Sequence, residues 1–212
     1  MSNIKKLENK KLKGILKKIN TDPQTQAFYD SKLNRVMNFL QKTAGFKIAA
    51  IKEGGSRGKQ TDTRKSDLDI IFCTGKDQNQ KIIRNDLFER AKKAFKKNTN
   101  VNKSNKAVNI DFLKPKSNID VVYLTNQQFN QEKKKIAQIK KLRPLHKNAI
   151  KLAKYALDKA KQKTIEGYEV ELACLTFNYN DLSECVYHLI NYFSGRLKQN
   201  RSSVGNVLKF LR

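Results

Sequence analysis

Two aspartates separated by one residue are the side chains of this chain that are best placed for chemistry. Asp67 and Asp69 open the apolar run DLDIIF, soon after the glycine-rich stretch GGSRG at residues 54–58. On a β-strand, residues i and i+2 project from the same face, so the two carboxylates should point to one place. Mg²⁺ favours a few carboxylates together with substrate phosphates, and glycines let backbone N–H groups approach phosphates closely. The pattern therefore predicts a site for a nucleoside triphosphate and a divalent cation, Mg²⁺ or Mn²⁺.

The glycine loop and the aspartate pair resemble the central motif of the DNA polymerase β-like nucleotidyltransferases. Within that superfamily they are most similar to the branch of 2′-5′-oligoadenylate synthetases and cyclic GMP-AMP synthases. That branch has a glycine-serine loop, an Asp-x-Asp strand and a third Asp on a later strand. The resemblance implies that Gly54, Gly55 and Ser56 bind the phosphates of a nucleoside triphosphate such as ATP. It implies that Asp67 and Asp69 are catalytic and bind metal ions, so template-independent, Mg-dependent nucleotidyl transfer is the expected activity.

The third carboxylate has two candidates. Segments 108–113 and 119–124 have the composition of a strand pair, joined by a basic turn at 114–118. Asp120 stands early in the second segment, and Asp111 lies in the first. Because the family places its third Asp on the strand entered after such a turn, the resemblance favours Asp120 as the third catalytic and metal-binding residue, with Asp111 as the competitor.

Two later segments extend the resemblance. Residues 148–157 are similar to the family's lysine-bearing helix, which implies that Lys154 contacts the triphosphate. Residues 167–175 are similar to its tyrosine-led helix, which implies that Tyr168 stacks on the base of the nucleotide. An ordinary half-buried helix tyrosine fits the sequence at position 168 equally well.

The charge of the chain points to a polyanionic partner. It has 45 Lys and Arg residues against 19 Asp and Glu, a formal charge of +26. Each phosphate that a protein neutralises releases counterions, so DNA or RNA is expected as ligand, activator or acceptor. A general lysine bias is the plainer explanation of the composition. Residues 1–20 form a lysine-rich amphipathic pattern, and the residues expected to contact nucleic acid are Lys147, Lys151, Lys161, Arg196 and Arg201.

Departures from the family pattern support a second function. Only a short tail follows residue 168, where the synthetases have a much larger helical domain, and the loop at 58–61 lacks a glycine that is usual there. The chain could instead be a catalytically inactive nucleotidyltransferase fold. It would then serve as a nucleic-acid-binding subunit of a larger modifying complex, such as a methyltransferase assembly, with other protein subunits as partners. The three aspartates favour the enzyme, and both functions stay open at this point.

The expected fold is α+β, a mixed sheet covered by helices with a short C-terminal helical lobe. We expect a nucleotidyltransferase-like core at 1–143, including the basic N-terminal helix, and the helical lobe at 144–212. The alternative is that the lobe and the core form one unit. The stretch 96–106 is predicted to be a loop. The predicted strands are 46–52, 67–73, 108–113 and 119–124, and the predicted helices include 80–97, 126–141, 144–163, 168–178 and 181–199.

The remaining features of the sequence point to a soluble protein of the nucleus or cytoplasm with no membrane partner. The N-terminus has no apolar segment of the kind found in secretory signals, and no apolar run is long enough to span a bilayer. Cys73, Cys174 and Cys185 are odd in number and lack zinc-site spacing, so we expect them to be reduced and structural.

Overall fold

The computed structural model describes residues 7–43, 47–64, 66–113, 116–162, 164–197 and 204–212. The chain forms two compact units. The first, which we call the α/β unit, consists of Thr21–Lys59 and Ser66–Ala137. The second, the helical unit, consists of Met1–Asn20, Gln60–Lys65 and Gln138–Arg212.

The elements follow one another in the order α1-α2-β1-α3-β2-α4-β3-β4-β5-α5-α6-α7-α8-α9. The strands are β1 (Ile48–Glu53), β2 (Leu68–Thr74), β3 (Thr99–Lys103), β4 (Val108–Leu113) and β5 (Lys116–Tyr123). The helices are α1 (Asn9–Ile19), α2 (Pro23–Thr43), α3 (Gly55–Gly58), α4 (Gln80–Ala94), α5 (Asn126–Lys140), α6 (Pro144–Lys159), α7 (Gly167–Cys174), α8 (Leu182–Tyr192) and α9 (Val204–Leu208). Short 3₁₀ turns lie at Ser194–Arg196 and Lys209–Leu211.

The sheet of the α/β unit has the strand order β1-β2-β5-β4-β3. The central pair, β2 and β5, is parallel, and the other neighbouring pairs are antiparallel, so the predicted mixed sheet is confirmed. The central strand β2 has the sequence LDIIFCT and is buried at every position except Asp69. Such a nearly continuous apolar run is typical of a strand covered on both faces.

The two faces of the sheet differ in polarity. One face carries Ile70, Phe72, Ile110, Ile119 and other apolar side chains, which pack into a core with residues of α2 and α4. On the opposite face, Ile71 and Cys73 of β2 form a smaller apolar cluster with Phe129 and Ile136 of α5. Alternation along β4 and β5 sends their remaining side chains, mainly Asn and Asp, to this second face.

Strand β3 is an element that the sequence analysis missed. Thr99–Lys103 lies inside the stretch predicted to be a loop, yet it pairs antiparallel with β4, Val101 opposite Ile110. Asn and Lys are depleted in strands, which is why the sequence TNVNK favoured a loop. Pairing with an apolar neighbouring strand overrides that preference, because β3 is an edge strand and exposes its polar side chains to solvent.

The helical unit has its own apolar core. Helices α1, α6, α7, α8 and α9 contribute to it, with Leu12, Ile150, Leu189 and Leu208 among its fully buried members. The sequence analysis placed the N-terminal helix with residues 1–143, whereas Leu12 and Leu16 of α1 are buried in the core that the C-terminal helices form. The division at residue 143 therefore differs from the observed one in the position of this helix.

Several helices are shorter than their sequence patterns indicated. Helix α6 ends at Lys159 rather than at 163, since the chain turns there and Lys161 has a positive φ of 54°. Helix α7 ends at Cys174, and α8 at Tyr192. Among the described residues, no helix combines the length and the apolar composition that crossing a membrane requires.

Candidate nucleotide and metal site

The glycine loop is attached to the central strand of the sheet. It leaves β1 after Glu53 and forms the single-turn helix α3. The Gly54 backbone N–H donates a 2.9 Å hydrogen bond to the carbonyl oxygen of Asp69 in β2. The loop is therefore held directly against one of the two aspartates of the motif. The N–H of Gly54 is therefore already used within the fold.

Gly55 cannot be replaced by a larger residue without moving Asp69. Its φ is +54°, in the left-handed region that favours glycine. A Cβ atom added at Gly55 would lie 1.8 Å from Asp69 Oδ2. The absence of a side chain thus allows the backbone of the loop to pack against the carboxylate.

The sheet brings Asp69 and Asp120 side by side. The two residues are paired in register on the parallel strands β2 and β5, so their side chains project from the same face. Asp67 precedes Asp69 by two residues and lies just before β2 begins at Leu68. Asp111, the competing candidate, lies on β4 opposite Asn118, one strand further from Asp69. The catalytic and metal-binding roles of Asp67, Asp69 and Asp120 stay predictions.

Two asparagines hold the Asp120 carboxylate. Asn109 Nδ2 on β4 donates to Asp120 Oδ1 at 2.6 Å, and Asn118 Nδ2 donates to the same oxygen at 3.2 Å. Asn109 is also the register partner of Asp120. Both hydrogen bonds fix the orientation of this carboxyl group on the sheet.

Burial and neighbouring carboxylates raise the pKa of Asp67 and Asp69. Burial, then the charge of Asp120 and that of Asp67, raise the pKa of Asp69 to about 7, against the lowering effect of Lys59. Burial and the charge of Asp120 likewise raise the pKa of Asp67 above its ordinary value. Like charges held together disfavour ionisation, and an opposite charge nearby favours it. A dication beside these oxygens would reverse both shifts.

The chemical nature of the donors, rather than their present spacing, suits a hard divalent cation. All of its side-chain ligands would be carboxylate oxygens, which suit Mg²⁺ or Mn²⁺. Within the residues that the structure describes, no three His, Cys, Asp or Glu side chains lie close enough together to enclose an ion. The fit rests on the register of Asp69 with Asp120 and on the mutual repulsion of the carboxylates.

Two buried cations of the loop were missed by the sequence analysis. Lys59 Nζ lies 3.1 Å from Glu132 Oε1 of α5, and Lys59 lowers the pKa of Asp69. Arg57 forms an ion pair with Asp30 of α2 and donates to Gln26 Oε1 at 3.1 Å. The sequence offered one indication of them, a basic residue on each side of Gly58 directly after the glycine turn. Their burial depends on partners that are distant in sequence.

The predicted nucleotide contacts Lys154 and Tyr168 belong to the helical unit. Lys154 Nζ lies 2.5 Å from Oε1 of Glu171, which is only 2% exposed, and the Thr61 hydroxyl donates to the same oxygen at 2.5 Å. Glu171 is a partner that the sequence analysis did not identify. Tyr168 is 52% exposed at the start of α7. That Lys154 and Tyr168 contact nucleotide stays a prediction.

The residues expected to contact nucleic acid are in varied environments. Lys147 Nζ donates to Gln60 Oε1 at 2.8 Å, and Lys151 Nζ donates to Asn20 Oδ1 at 3.2 Å. Lys161 is exposed but lies beyond the end of α6, so it does not share a helical face with the other two. The remaining two are Arg196, which donates to Glu169 Oε1 at 2.6 Å, and Arg201, which lies outside the described residues.

Comparison with known proteins identifies the fold. No protein-family model matches the chain, and no curated protein matches it significantly. Solved structures do match. E. coli MS115-1 CdnC in a complex with HORMA-deltaN is 16% identical at a TM-score of 0.70, covering 89% of this chain and 71% of that chain. The Cid1 poly(U) polymerase with Mg and 3′-dATP is 11% identical at a TM-score of 0.67, covering 91% and 74%.

A third match is the Elizabethkingia meningoseptica CdnE cyclic dinucleotide synthase with GTP and Apcpp. It is 12% identical at a TM-score of 0.60, covering 86% of this chain and 89% of that chain. The chain therefore has the nucleotidyltransferase fold of these structures, which is the fold that its resemblance around Asp67 and Asp69 predicted.

Proposed function

We propose that the protein is a nucleotidyltransferase that uses a nucleoside triphosphate as donor. In this reaction an acceptor hydroxyl oxygen bonds to the α-phosphorus, the bond from that phosphorus to the β-phosphate oxygen breaks, and pyrophosphate leaves. The observation that supports this most is the packing of Gly55 against the Asp69 carboxylate, with Asp120 in register on the neighbouring strand. The glycine loop, which could hold phosphates, is therefore packed directly against the strands that carry the carboxylate pair.

We assign the parts of this site by their positions. The backbone of Gly55 and the hydroxyl of Ser56 hold the donor phosphates at the start of α3. Asp67, Asp69 and Asp120 would hold Mg²⁺ or Mn²⁺, which when bound would supply positive charge to the entering and leaving oxygens. Asp120, oriented by its two asparagines, serves the side of the acceptor hydroxyl, which loses its proton as the new bond forms.

Nucleic acid is the second ligand of the proposed function. The formal charge of +26 favours DNA or RNA over uncharged acceptors. The Cid1 structure is that of a poly(U) polymerase, which supports a polynucleotide as acceptor. The CdnE structure is that of a cyclic dinucleotide synthase, which supports a nucleotide as acceptor.

The test is transfer of label from each nucleoside triphosphate with Mg²⁺ or Mn²⁺, with and without RNA or DNA. We expect product and pyrophosphate from the wild type and a loss of about 10²- to 10³-fold in Asp69→Asn and Asp120→Asn, the usual effect of removing one preorganised group. Asp111→Asn is the matched control, since it removes a carboxylate from the same face of the sheet. It should retain activity close to that of the wild type.

Equal transfer in the wild type and the Asp69→Asn and Asp120→Asn variants would refute the assignment of these carboxylates. No transfer under any condition, with salt-sensitive binding of nucleic acid retained, would favour the inactive binding subunit instead.

A further inference from the structure

Helix α1 of the helical unit carries a set of lysines arranged around a single glycine. Its sequence, NKKLKGILKKI, has five lysines and no acidic residue. On an α-helix, the surface neighbours of a residue are those three and four positions away. For Gly14 these neighbours are Lys10, Lys11, Lys17 and Lys18, so all four surround it on one face. We call Gly14 and these four lysines the lysine–glycine face.

The lysine–glycine face points to solvent. The four lysines are exposed, whereas Leu12, Leu16 and Ile19 on the opposite side of α1 are buried in the core of the helical unit. Among the residues that the structure describes, no carboxylate lies within ion-pair distance of these lysines. Two acids lie at the N-terminal end of the helix: Glu8 is the N-cap, and Asp181 Oδ2 accepts from Asn9 Nδ2 at 2.7 Å.

The packing around Gly14 does not require a glycine at this position. A Cβ added there would meet nothing within 4 Å, and its φ is not positive. In a helix interior glycine is among the least favourable residues, so the fold itself would be better served by alanine. What glycine does here is leave the helix backbone uncovered between four ammonium groups. An anion can therefore come closer to the axis of α1 at Gly14 than a side chain would allow.

More cationic groups adjoin the C-terminal end of α1. Asn20, the C-cap, accepts from Arg64 Nε at its carbonyl oxygen, 3.1 Å, and from Lys151 Nζ at its side chain, 3.2 Å. Arg64 N–H also donates to the Ile19 carbonyl at 2.8 Å, which ties this arginine to the end of the helix. The carboxylate of Asp62, whose charge acts on Lys151, lies at this end as well, so the uncompensated positive charge of α1 is on the lysine–glycine face itself.

We infer that the lysine–glycine face binds the phosphate backbone of a polynucleotide. Eight residues of rise from Lys10 to Lys18 span about 12 Å, which matches roughly three to four successive phosphates of one strand at about 3.4 Å per phosphate along the helix axis. A lipid surface is a poorer partner, because the apolar side of α1 is already buried in the protein core and has nothing to insert. An acidic protein is also a poorer partner. Protein–protein interfaces combine charges with apolar contacts and hydrogen bonds, whereas this face presents only lysine side chains around a glycine.

This inference deepens the nucleic-acid part of the proposed function, but it does not depend on catalysis. The experiment measures binding of labelled RNA duplex, DNA duplex and single strand by fluorescence anisotropy, over salt from about 50 to 200 mM. It is carried out in the wild type and in the Asp69→Asn variant, so a failure of the proposed transfer chemistry leaves the binding result interpretable.

The first variant is Lys10→Gln/Lys11→Gln/Lys17→Gln/Lys18→Gln. We expect affinity at the middle of the salt range to fall at least about tenfold and the salt slope to fall by about three, since each lost phosphate contact removes close to one. The matched control, with the same charge change and the same sequence spacing on an exposed helix and its end, is Lys133→Gln/Lys134→Gln/Lys140→Gln/Lys141→Gln. An equal loss in both variants would refute a specific role for α1.

The second variant, Gly14→Glu, separates folding from binding. Its carboxylate would lie among four lysines at i±3 and i±4 spacing, so the melting temperature should stay the same or rise. Binding of polynucleotide should nevertheless fall at least about tenfold, because the carboxylate occupies the place of the phosphate. Binding equal to that of the wild type would overturn the inference, as would wild-type affinity of the Lys10→Gln/Lys11→Gln/Lys17→Gln/Lys18→Gln variant.

Vesicles with and without anionic lipid complete the experiment. Lipid binding that equals polynucleotide binding, and that is lost in the same variants, would assign the face to a membrane surface and contradict the proposal. Preference among RNA duplex, DNA duplex and single strand then identifies which polynucleotide the face accepts.

Discussion

Replacing Gly55 by alanine should damage both the stability and the activity of the α/β unit through one contact. The added Cβ would lie 1.8 Å from Asp69 Oδ2 and 2.7 Å from its Cγ. Real Cβ contacts are essentially never shorter than 3.0 Å. The carboxylate must therefore retreat by about 1.2 Å, the difference between 3.0 and 1.8 Å, or the loop must lift away from β2.

Gly55→Ala should affect both the free energy of unfolding and the rate of transfer. A left-handed backbone costs a residue with a Cβ roughly 1–2 kcal/mol, and the displacement of Asp69 adds to that cost. A catalytic group moved by about 1 Å can lose about 10²-fold in rate. We therefore expect Gly55→Ala to lower the free energy of unfolding by roughly 2–3 kcal/mol and to lower transfer at least about 100-fold.

The assay is a double-mutant cycle with Asp69→Ala, read by chemical denaturation. Without the carboxylate, the closest atom of residue 69 to the added methyl is its Cβ, at 3.2 Å. Gly55→Ala should then cost only its backbone strain, giving a coupling of about 1 kcal/mol or more. Gly75→Ala is the control, because a Cβ there meets nothing within 4 Å. Equal costs of Gly55→Ala in both backgrounds, with activity kept in the single variant, would refute the reasoning.

Three further predictions concern individual side chains. The pKa of Asp69 is raised to about 7, whereas an unfolded Asp titrates near about 3.9. In the presence of a chelator, the free energy of unfolding should therefore be highest below the pKa of the unfolded state and should fall as the pH rises towards 7. Asp69→Asn should remove this dependence of stability on pH. Glu171→Gln should cost about 1.5–3 kcal/mol by removing the buried negative charge that pairs with Lys154, as measured by denaturation. Asn109→Leu should lower transfer about 10- to 100-fold by freeing the Asp120 carboxylate, with little change in melting temperature.

Each of these predictions has a counterpart that should behave differently. Asn102 Nδ2 donates to Asp111 Oδ2 at 3.1 Å, so Asn102→Leu removes an equivalent bond on the same face and should leave transfer unchanged. Glu184→Gln changes an exposed carboxylate and should be nearly neutral for stability. A wild-type stability that rises between pH 4 and 7 relative to Asp69→Asn would contradict the pKa argument. Equal transfer losses in the two asparagine variants would contradict the role given to Asn109.

Local sequence patterns were sufficient for much of the fold. The apolar run after Asp67 predicted β2, and the alternation around Asp120 predicted β5, because side-chain period and strand burial are encoded residue by residue. The start of helix α2 at Pro23 is also a local feature, because the Asp22 carboxylate accepts from the Thr25 backbone N–H at 2.9 Å. Strand β3 was missed, since its Asn and Lys residues carry no strand preference and only pairing with β4 makes it a strand.

The candidate site was predicted in its residue types but not in its contacts. The sequence by itself predicted that Asp67 and Asp69 would share a face, and it determined that a glycine turn would precede them, because both inferences use backbone geometry over a few residues. Only the tertiary structure decided that Asp120 and not Asp111 would stand beside Asp69, that Asn109 would hold it, and that Glu171 would pair with Lys154. Those contacts join residues far apart in the chain, and they depend on strand register and helix packing, which no local pattern encodes.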